Sequence, residues 1–416
     1  MNPADPVKAF LDETFGDEFA PASSFDLAPL REALSRLGAP HERLPPTIHV
    51  AGTNGKGSTC AFLAALAAQS GLKAHAFTKP HLFKTNERIR LAGETVGDDV
   101  FLSALARAAD AAPGLRHFEA QVAAAFILFS EAPADLLILE TGMGGRDDAT
   151  NVIAQPAATI ITPIGIDHAA VLGGAIPEIT AHKAGVLKPN TPAVIGRQPR
   201  EAAAIIEARA HACAAPLRRF GQEWDAYGRN GRLVVQTETR LFDLDPPALI
   251  GPHQIENAGA AIVAYDLVAP LTDDAASAAM RSAFIPARLQ RIRATREIWL
   301  DGAHNAHAAR ALAYALRVLP RRKTTVIVGM LARKDADAFI AELVAAADHI
   351  IATPIAGQAS IAPDELVQAA RRRGLSAAAS NSLADALAQA DPDSRTLITG
   401  SLALAAEASR ALEAAH

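Results

Sequence analysis

The feature that most constrains the fold is a glycine turn set between an apolar run and a helix-like run, "TIHVAGTNGKGSTCAFLAALAAQSG", Thr47 to Gly71. "TIHVA" is too short for a helix and reads as a buried strand, and the alanine-rich stretch after the glycines suits a helix packed tightly on a sheet. In that arrangement the backbone N–H groups of Gly55 to Thr59 open the helix and face an anion, with the helix dipole behind them. The usual phosphate loop reads G-x-x-x-x-G-K-[ST]. Here Val50 stands at the first glycine, and Gly57 separates Lys56 from Ser58 and Thr59. Lys56 offers a mobile positive charge, and Ser58 or Thr59 a hydroxyl for Mg²⁺. On its own the loop reads equally well as a plain glycine turn into a helix.

The surrounding pattern supplies context. "KAHAFT" (73–78), "DLLILE" (135–140), "ATIITPI" (158–164) and "PAVIG" (192–196) read as further buried strands, with "FEAQVAAAFILFSEA" as a helix among them. Short apolar strands alternating with helices predict a parallel α/β sheet. A second series, "EIWLDG" (297–302), "TTVIVGM" (324–330), "HIIATP" (349–354) and "TLITGS" (396–401), alternates with its own helices. The expected architecture is therefore a P-loop-type parallel-sheet domain over 1–286, followed by a smaller Rossmann-like α/β domain over 287–416.

Composition narrows the function classes. A net charge of -5 over 416 residues gives no pull towards nucleic acid or an anionic membrane, so neither is expected as a partner. No apolar run approaches the ~20 residues of a membrane span. The acidic start "MNPADPVKAFLDETFGDEF" lacks the basic and apolar regions of a signal peptide. Cys60 and Cys213 are too few for a disulfide framework. A soluble cytoplasmic protein acting on small molecules is expected.

The ordered set "AGTNGKGS", "PHLFKTNERI", "LETGMGGRDDATNV", "ITPIGIDH", "AHKAGVLK", "GPHQIENA" and "LDGAHNAHAA" resembles the folylpolyglutamate synthase and dihydrofolate synthase family of Mur-type ligases, over nearly the whole chain. In that family the inserted glycine is normal. The resemblance implies a Mur-ligase-like ATPase domain and ATP-dependent amide synthesis. ATP converts a carboxylate to an acyl phosphate, which the amino group of L-glutamate then attacks. The implied acid is dihydropteroate or a reduced folate, the implied cofactors are ATP and Mg²⁺, and a monomer is expected.

Residue by residue, the likeness makes Gly55, Lys56, Gly57 and Ser58 phosphate contacts, and Ser58, Glu140 and His168 metal ligands. Carboxylate suits Mg²⁺ better than imidazole does, and a lone His is more often structural. Lys183 matches a lysine that such ligases carry as a carbamate, a modification that needs the neutral amine and therefore burial. Lys56, Glu140, His168 and Lys183 form the implied catalytic set. Asn257, Arg288, Asp301 and His304 match ATP contacts, which would put the nucleotide between the two domains. On the acid side stand Asp26, His81, Arg116, His117, Phe118, Glu119, Arg146, Asp147, Asp148 and Ala149, with Phe118 able to stack on a flat ring or simply to fill the core.

Several positions depart from the family pattern. Lys79 in "TKPHL" stands where serine usually helps to hold Mg²⁺, Asp147 where an apolar residue is common, and Gln121 where threonine is usual. An ammonium cannot ligate a cation, so Lys79 either neutralises the Glu140 region or points to solvent. Two other functions stay open: a related ligase acting on a different acid, and an ATP-binding regulatory protein without ligase activity. A cell-wall precursor is disfavoured, because only about fifty residues precede the loop and that is below the usual domain size.

Overall fold

The computed structural model describes residues 5–18, 26–292 and 296–413. The chain divides into two compact units, one of residues 1–248 with 255–283 and one of residues 249–254 with 284–416.

The first unit is built on β1 (Thr47–Ala51), β2 (Ala74–Phe77), β3 (Ile89–Leu91), β4 (Glu94–Thr95), β5 (Leu136–Glu140), β6 (Ala158–Ile161), β7 (Ala193–Ile195) and β8 (Leu217–Arg219). They form one sheet in the order β4-β3-β2-β5-β1-β6-β7-β8. The six strands from β2 to β8 run parallel, as the apolar runs predict. The sheet is not wholly parallel, however, because β3 and β4 add an antiparallel edge. That edge ends in a two-residue exposed strand, which limits the unpaired backbone it presents.

Burial explains the all-apolar strands. Ile48, Val50, Leu137, Ile138 and Ile160 are fully buried because helices cover both faces of the sheet. The helix Lys56–Gln69 places Phe62, Leu63 and Leu66 in the interior, and the helix His117–Glu131 buries Val122, Phe126 and Phe129. A second sheet was not anticipated from the apolar runs. It is an antiparallel ribbon of β9 (Trp224–Arg229), β10 (Arg232–Thr237) and β11 (Leu241–Leu244). Asn230 and Gly231, with φ of 52° and 75°, make the two-residue turn between β9 and β10. Asn-Gly is favoured there because both central residues of such a hairpin turn need positive φ.

The second unit carries β12 (Gln290–Ile292), β13 (Ile298–Leu300), β14 (Thr324–Val328), β15 (His349–Ala352), β16 (Ser376–Ala379) and β17 (Arg395–Thr399) in the order β12-β13-β17-β14-β15-β16. Only β12 is antiparallel to its neighbour. Side chains alternate across this sheet. Val326, Val328 and Ile350 pack with the helices Ala306–Val318 and Ala336–Leu343, while Ile327, Ile351 and Ile398 pack with the helix Leu402–Glu413. This is the expected Rossmann-like layering.

Candidate active site

The glycine loop leaves the carboxyl end of β1, the strand flanked by β5 and β6. The connections from β1 and its neighbours run out in opposite directions here, the kind of switch point where open α/β sheets bind ligands. Two glycines are sterically required. Gly52 has φ 138°, and a Cβ on it would meet Thr162 Oγ1 at 1.9 Å. Gly55 caps the helix at φ 93°, and a Cβ there would meet Asn257 Oδ1 at 2.4 Å. Asn257, expected as an ATP contact, is packed against the turn that starts the helix and is almost fully buried.

Both expected catalytic lysines meet at this loop. Lys56 donates from Nζ to the carbonyls of Gly52 and Thr53, each at 3.2 Å. Lys183, 4% exposed, donates to the same Gly52 carbonyl at 2.7 Å. Burial first, and the positive charge of Lys56 second, lower the Lys183 pKa from 10.5 to about 7, although Asp167 and Asp148 oppose the shift. At neutral pH a large share of Lys183 is therefore the neutral, nucleophilic amine. The neighbouring loop locks its helix in place: Arg146 N–H donates to the His182 carbonyl at 2.7 Å, and a Cβ on Gly145 would lie 2.8 Å from that same oxygen.

Glu140 ends β5 directly beside the loop, with its Cα paired to that of Val50. The carboxylate is 2% exposed and accepts the Lys79 backbone N–H at 3.1 Å. The hydroxyl of Thr141 next to it is buried without a hydrogen-bond partner among the described residues, as is that of Thr59; Ser58 is buried too. A buried carboxylate among hydroxyls fits Mg²⁺, which takes one or two carboxylates and completes its shell with phosphate and water oxygens. No cluster of three or more His, Cys, Asp or Glu able to hold a metal occurs among the described residues. His168 is exposed, at φ 53°, where it caps the short helix Ala169–Leu172.

Lys79 does not take the place beside Glu140 that its charge suggests. Its amide meets Glu140, but its ammonium lies 4.6 Å from the centroid of the Phe118 ring and 4.0 Å from Glu18 Oε1. Glu18 belongs mainly to Arg88, whose guanidinium reaches both its oxygens at 2.9 and 3.2 Å. Burial raises the Glu18 pKa, yet Arg88 outweighs it and holds the group at about 2.

Phe118 touches the loop after β5: a Cβ on Gly142 would meet its ring at 2.4 Å and Asp148 Oδ2 at 3.1 Å. Asp148 is held from three sides. Its Oδ2 accepts Met143 N–H at 2.6 Å, and its Oδ1 accepts both the backbone N–H and the hydroxyl of Thr150. Because the Thr150 hydroxyl donates to Asp148, it must accept from His49 Nε2 at 2.9 Å. His49 is fully buried, which lowers its pKa to about 3, so it is neutral with the proton on Nε2. Ala149, which follows Asp148, is buried.

The other acid-side residues divide. Arg116 and Glu119 bond each other at the start of the helix His117–Glu131, and Glu119 also accepts the Arg116 backbone N–H, so both are engaged in capping. His117 is buried against Gln121 and lies 3.4 Å from Asp12, and burial lowers its pKa. His81 accepts from Arg88 Nε at 3.0 Å; burial and then the Arg88 charge lower its pKa to about 4. Asp147 pairs with Arg146 and His182, away from Asp148. Asp26 is exposed and accepts the Ala28 N–H. Sequence reasoning did not single out Arg88, Glu18, His49 or Thr150, although Arg88 and Thr150 lie inside quoted motifs.

In the second unit, Asp301 directly follows β13, buried, and accepts the backbone N–H groups of Leu289 and Ala303. Burial raises its pKa, against the charge of Arg288. Arg288 is close by, since a Cβ on Gly302 would lie 3.3 Å from its Nη1, and His304 Nδ1 bonds the Gly302 carbonyl at 2.8 Å. The three expected contacts therefore converge. His253, unforeseen, joins them: burial and the charge of Arg288 lower its pKa to about 4.

Residues 50–265 match the Mur ligase middle domain and residues 287–402 the Mur ligase glutamate ligase domain, so fold and loop together define a Mur-type ligase. Folylpolyglutamate synthase of Lacticaseibacillus casei is 33% identical over 392 residues, which cover 89% of this chain and 91% of the relative. Escherichia coli FolC in complex with DHPP and ADP has a similar structure, with TM-score 0.90 and 28% identity over 99% of each chain. So has a bifunctional folylpolyglutamate synthase/dihydrofolate synthase with Mn, AMPPNP and L-glutamate bound, with TM-score 0.86 and 30% identity over 99% of this chain and 100% of that one. The chain belongs to the folylpolyglutamate synthase/dihydrofolate synthase family of ATP-dependent glutamate ligases.

Proposed function

We propose that this chain joins L-glutamate to the carboxyl group of dihydropteroate, of a reduced folate, or of both, through an acyl phosphate. The observation that carries this reading is the meeting of Lys56 and the buried Lys183 on one loop carbonyl, beside the buried Glu140. The names of the relatives support it: one structure holds DHPP and ADP, another Mn, AMPPNP and L-glutamate.

In the first step a carboxylate oxygen attacks the γ-phosphorus of ATP as the bond to the ADP oxygen breaks. Loop N–H groups and Lys56 stabilise the charge that spreads over the phosphoryl oxygens. In the second step the glutamate nitrogen attacks the acyl carbon, phosphate leaves, and the nitrogen loses its protons to solvent. Mg²⁺ would supply charge neutralisation across the phosphates, held by Ser58, Glu140 and His168. A carbamate on Lys183 would add oxygen ligands, and the low pKa of this lysine favours its formation. Arg288, Asp301, His304 and Asn257 would bind the nucleotide, and Phe118, Asp148 and Ala149 the acid. No helix among the described residues is long and apolar enough to cross a membrane, and the reading has the chain working as a cytoplasmic monomer.

The test is purified protein with ATP, Mg²⁺ and L-glutamate, offered dihydropteroate and tetrahydrofolate separately, with products identified by mass. A product one glutamyl residue heavier is expected from at least one acid. ATP hydrolysis that ignores both acids would overturn the reading.

A further inference from the structure

Lys79 stands at the carboxyl end of β2, next to β5 in the sheet, with its amide tied to the Glu140 carboxylate. Its side chain is 24% exposed and crosses the face of Phe118. An ammonium has three N–H donors. Among the described residues Lys79 Nζ makes no hydrogen bond: its nearest carboxylate oxygen is 4.0 Å away, and both oxygens of that carboxylate are committed to Arg88. Arg88, itself buried, and Lys79 therefore share Glu18, to which Arg88 is much the closer. His81 and His117 beside them add no negative charge, since an imidazole is neutral or cationic.

Burial lowers the Lys79 pKa, and the charges of Arg88 and Lys56 lower it further against Glu18 and Asp148. The Lys79 backbone is tied to Glu140, which ends its strand beside the phosphate loop, and the ammonium lies over the ring of Phe118. Partly exposed and without a hydrogen bond to the described residues, the ammonium can take a carboxylate as a charge-assisted partner. The aromatic ring of Phe118 beside the ammonium suits a carboxylate carried on a flat ring.

We propose that Lys79 binds the reacting carboxylate of the acid substrate directly, and so selects ring-borne carboxylic acids. The inference rests on the acid–glutamate ligase reading above. Lys79 stays protonated through the first step: it pairs with the carboxylate, one of whose oxygens attacks the γ-phosphorus, and then donates to the carbonyl oxygen of the acyl phosphate. Because the contact exists before the phosphoryl group moves, it contributes chiefly to binding.

The experiment is equilibrium binding, without ATP, of dihydropteroate and of its carboxamide, which keeps the ring and removes the charge. It is run on the wild-type protein and on Lys79→Met and Lys79→Arg, each checked for a native thermal transition. The wild type should bind the acid at least about tenfold more tightly than the amide, the scale of one charge-assisted hydrogen bond. Lys79→Met should bring the ratio close to one, and Lys79→Arg should keep most of it. An unchanged ratio in Lys79→Met overturns the inference. Equal binding of acid and amide by the wild type overturns it too, while leaving the substrate reading intact. Binding of neither compound overturns the inference and leaves the substrate reading to stand on a reduced folate alone. If Lys79→Met does not fold, Lys79→Gln decides in the same way.

Discussion

Lys183→Met should make the ligand-free protein more stable at neutral pH, in a way that fades as pH rises. Lys183 is 4% exposed and its pKa falls from 10.5 to about 7 on folding. Between these values the unfolded chain binds the proton and the folded chain does not, so stability rises with pH, by at most ~1.4 kcal/mol per pH unit. Below pH 7 both states are protonated and the slope disappears. At pH 7 the folded lysine is half protonated, and the fold bears a cost of about 4 kcal/mol relative to strongly alkaline solution. Methionine fills nearly the same volume without charge. It forfeits one hydrogen bond to Gly52, worth ~1 kcal/mol, so a net gain of about 3 kcal/mol is expected near pH 7. The assay is urea unfolding at pH 7, 8 and 9 in buffer free of carbon dioxide, in a Trp299→Phe background. There the buried Trp224 alone reports on the first unit. The two proteins should converge as pH rises. Parallel stability curves, with a constant offset, would refute the assignment of Lys183 as a buried lysine of depressed pKa.

Lys56→Ala should lower kcat by ~10²- to 10³-fold with an unchanged fold, because its charge is wanted as the phosphoryl group transfers; wild-type turnover would remove the loop from the chemistry. Gly142→Ala would drive a Cβ to 2.4 Å from the Phe118 ring, and overpacking of this kind costs about 1–3 kcal/mol. Its Tm should fall and its KM for the acid should rise, whereas unchanged values of both would show that the ring is not held against this glycine. Thr150→Val cuts the link from His49 to Asp148 and strands a buried N–H. The expected cost is about 1–3 kcal/mol in stability, with a higher KM for the acid and an unchanged KM for ATP. If both KM values move together, Asp148 is not specific to the acid.

Much of the site was legible because its motifs are local. The loop from Gly52 to Thr59 announces its turn through Gly52 and Gly55, where a side chain does not fit, and Glu140 is placed by the length of an apolar strand. The hairpin at Asn230–Gly231 was also written in the sequence, through a dipeptide that needs positive φ, but the search for apolar runs passed over it. Lys79 was different. Its charge invited a pairing with Glu140, yet a long flexible side chain settles wherever burial and neighbouring charges leave it, and here Arg88, Glu18 and Phe118 decided.

By itself the sequence determined the alternation of strands and helices, the turn that presents backbone N–H groups at the end of β1, and the family to which the chain belongs. These follow from short-range rules: side-chain periodicity, the φ that only glycine tolerates, and the order of motifs along the chain. Only the tertiary structure decided which groups face one another. The sheet order set Glu140 beside the loop, and the docking of Arg146 on the Lys183 helix fixed that lysine in the interior. Burial then moved its pKa and that of His49, because a charge loses its water only when the whole fold closes around it.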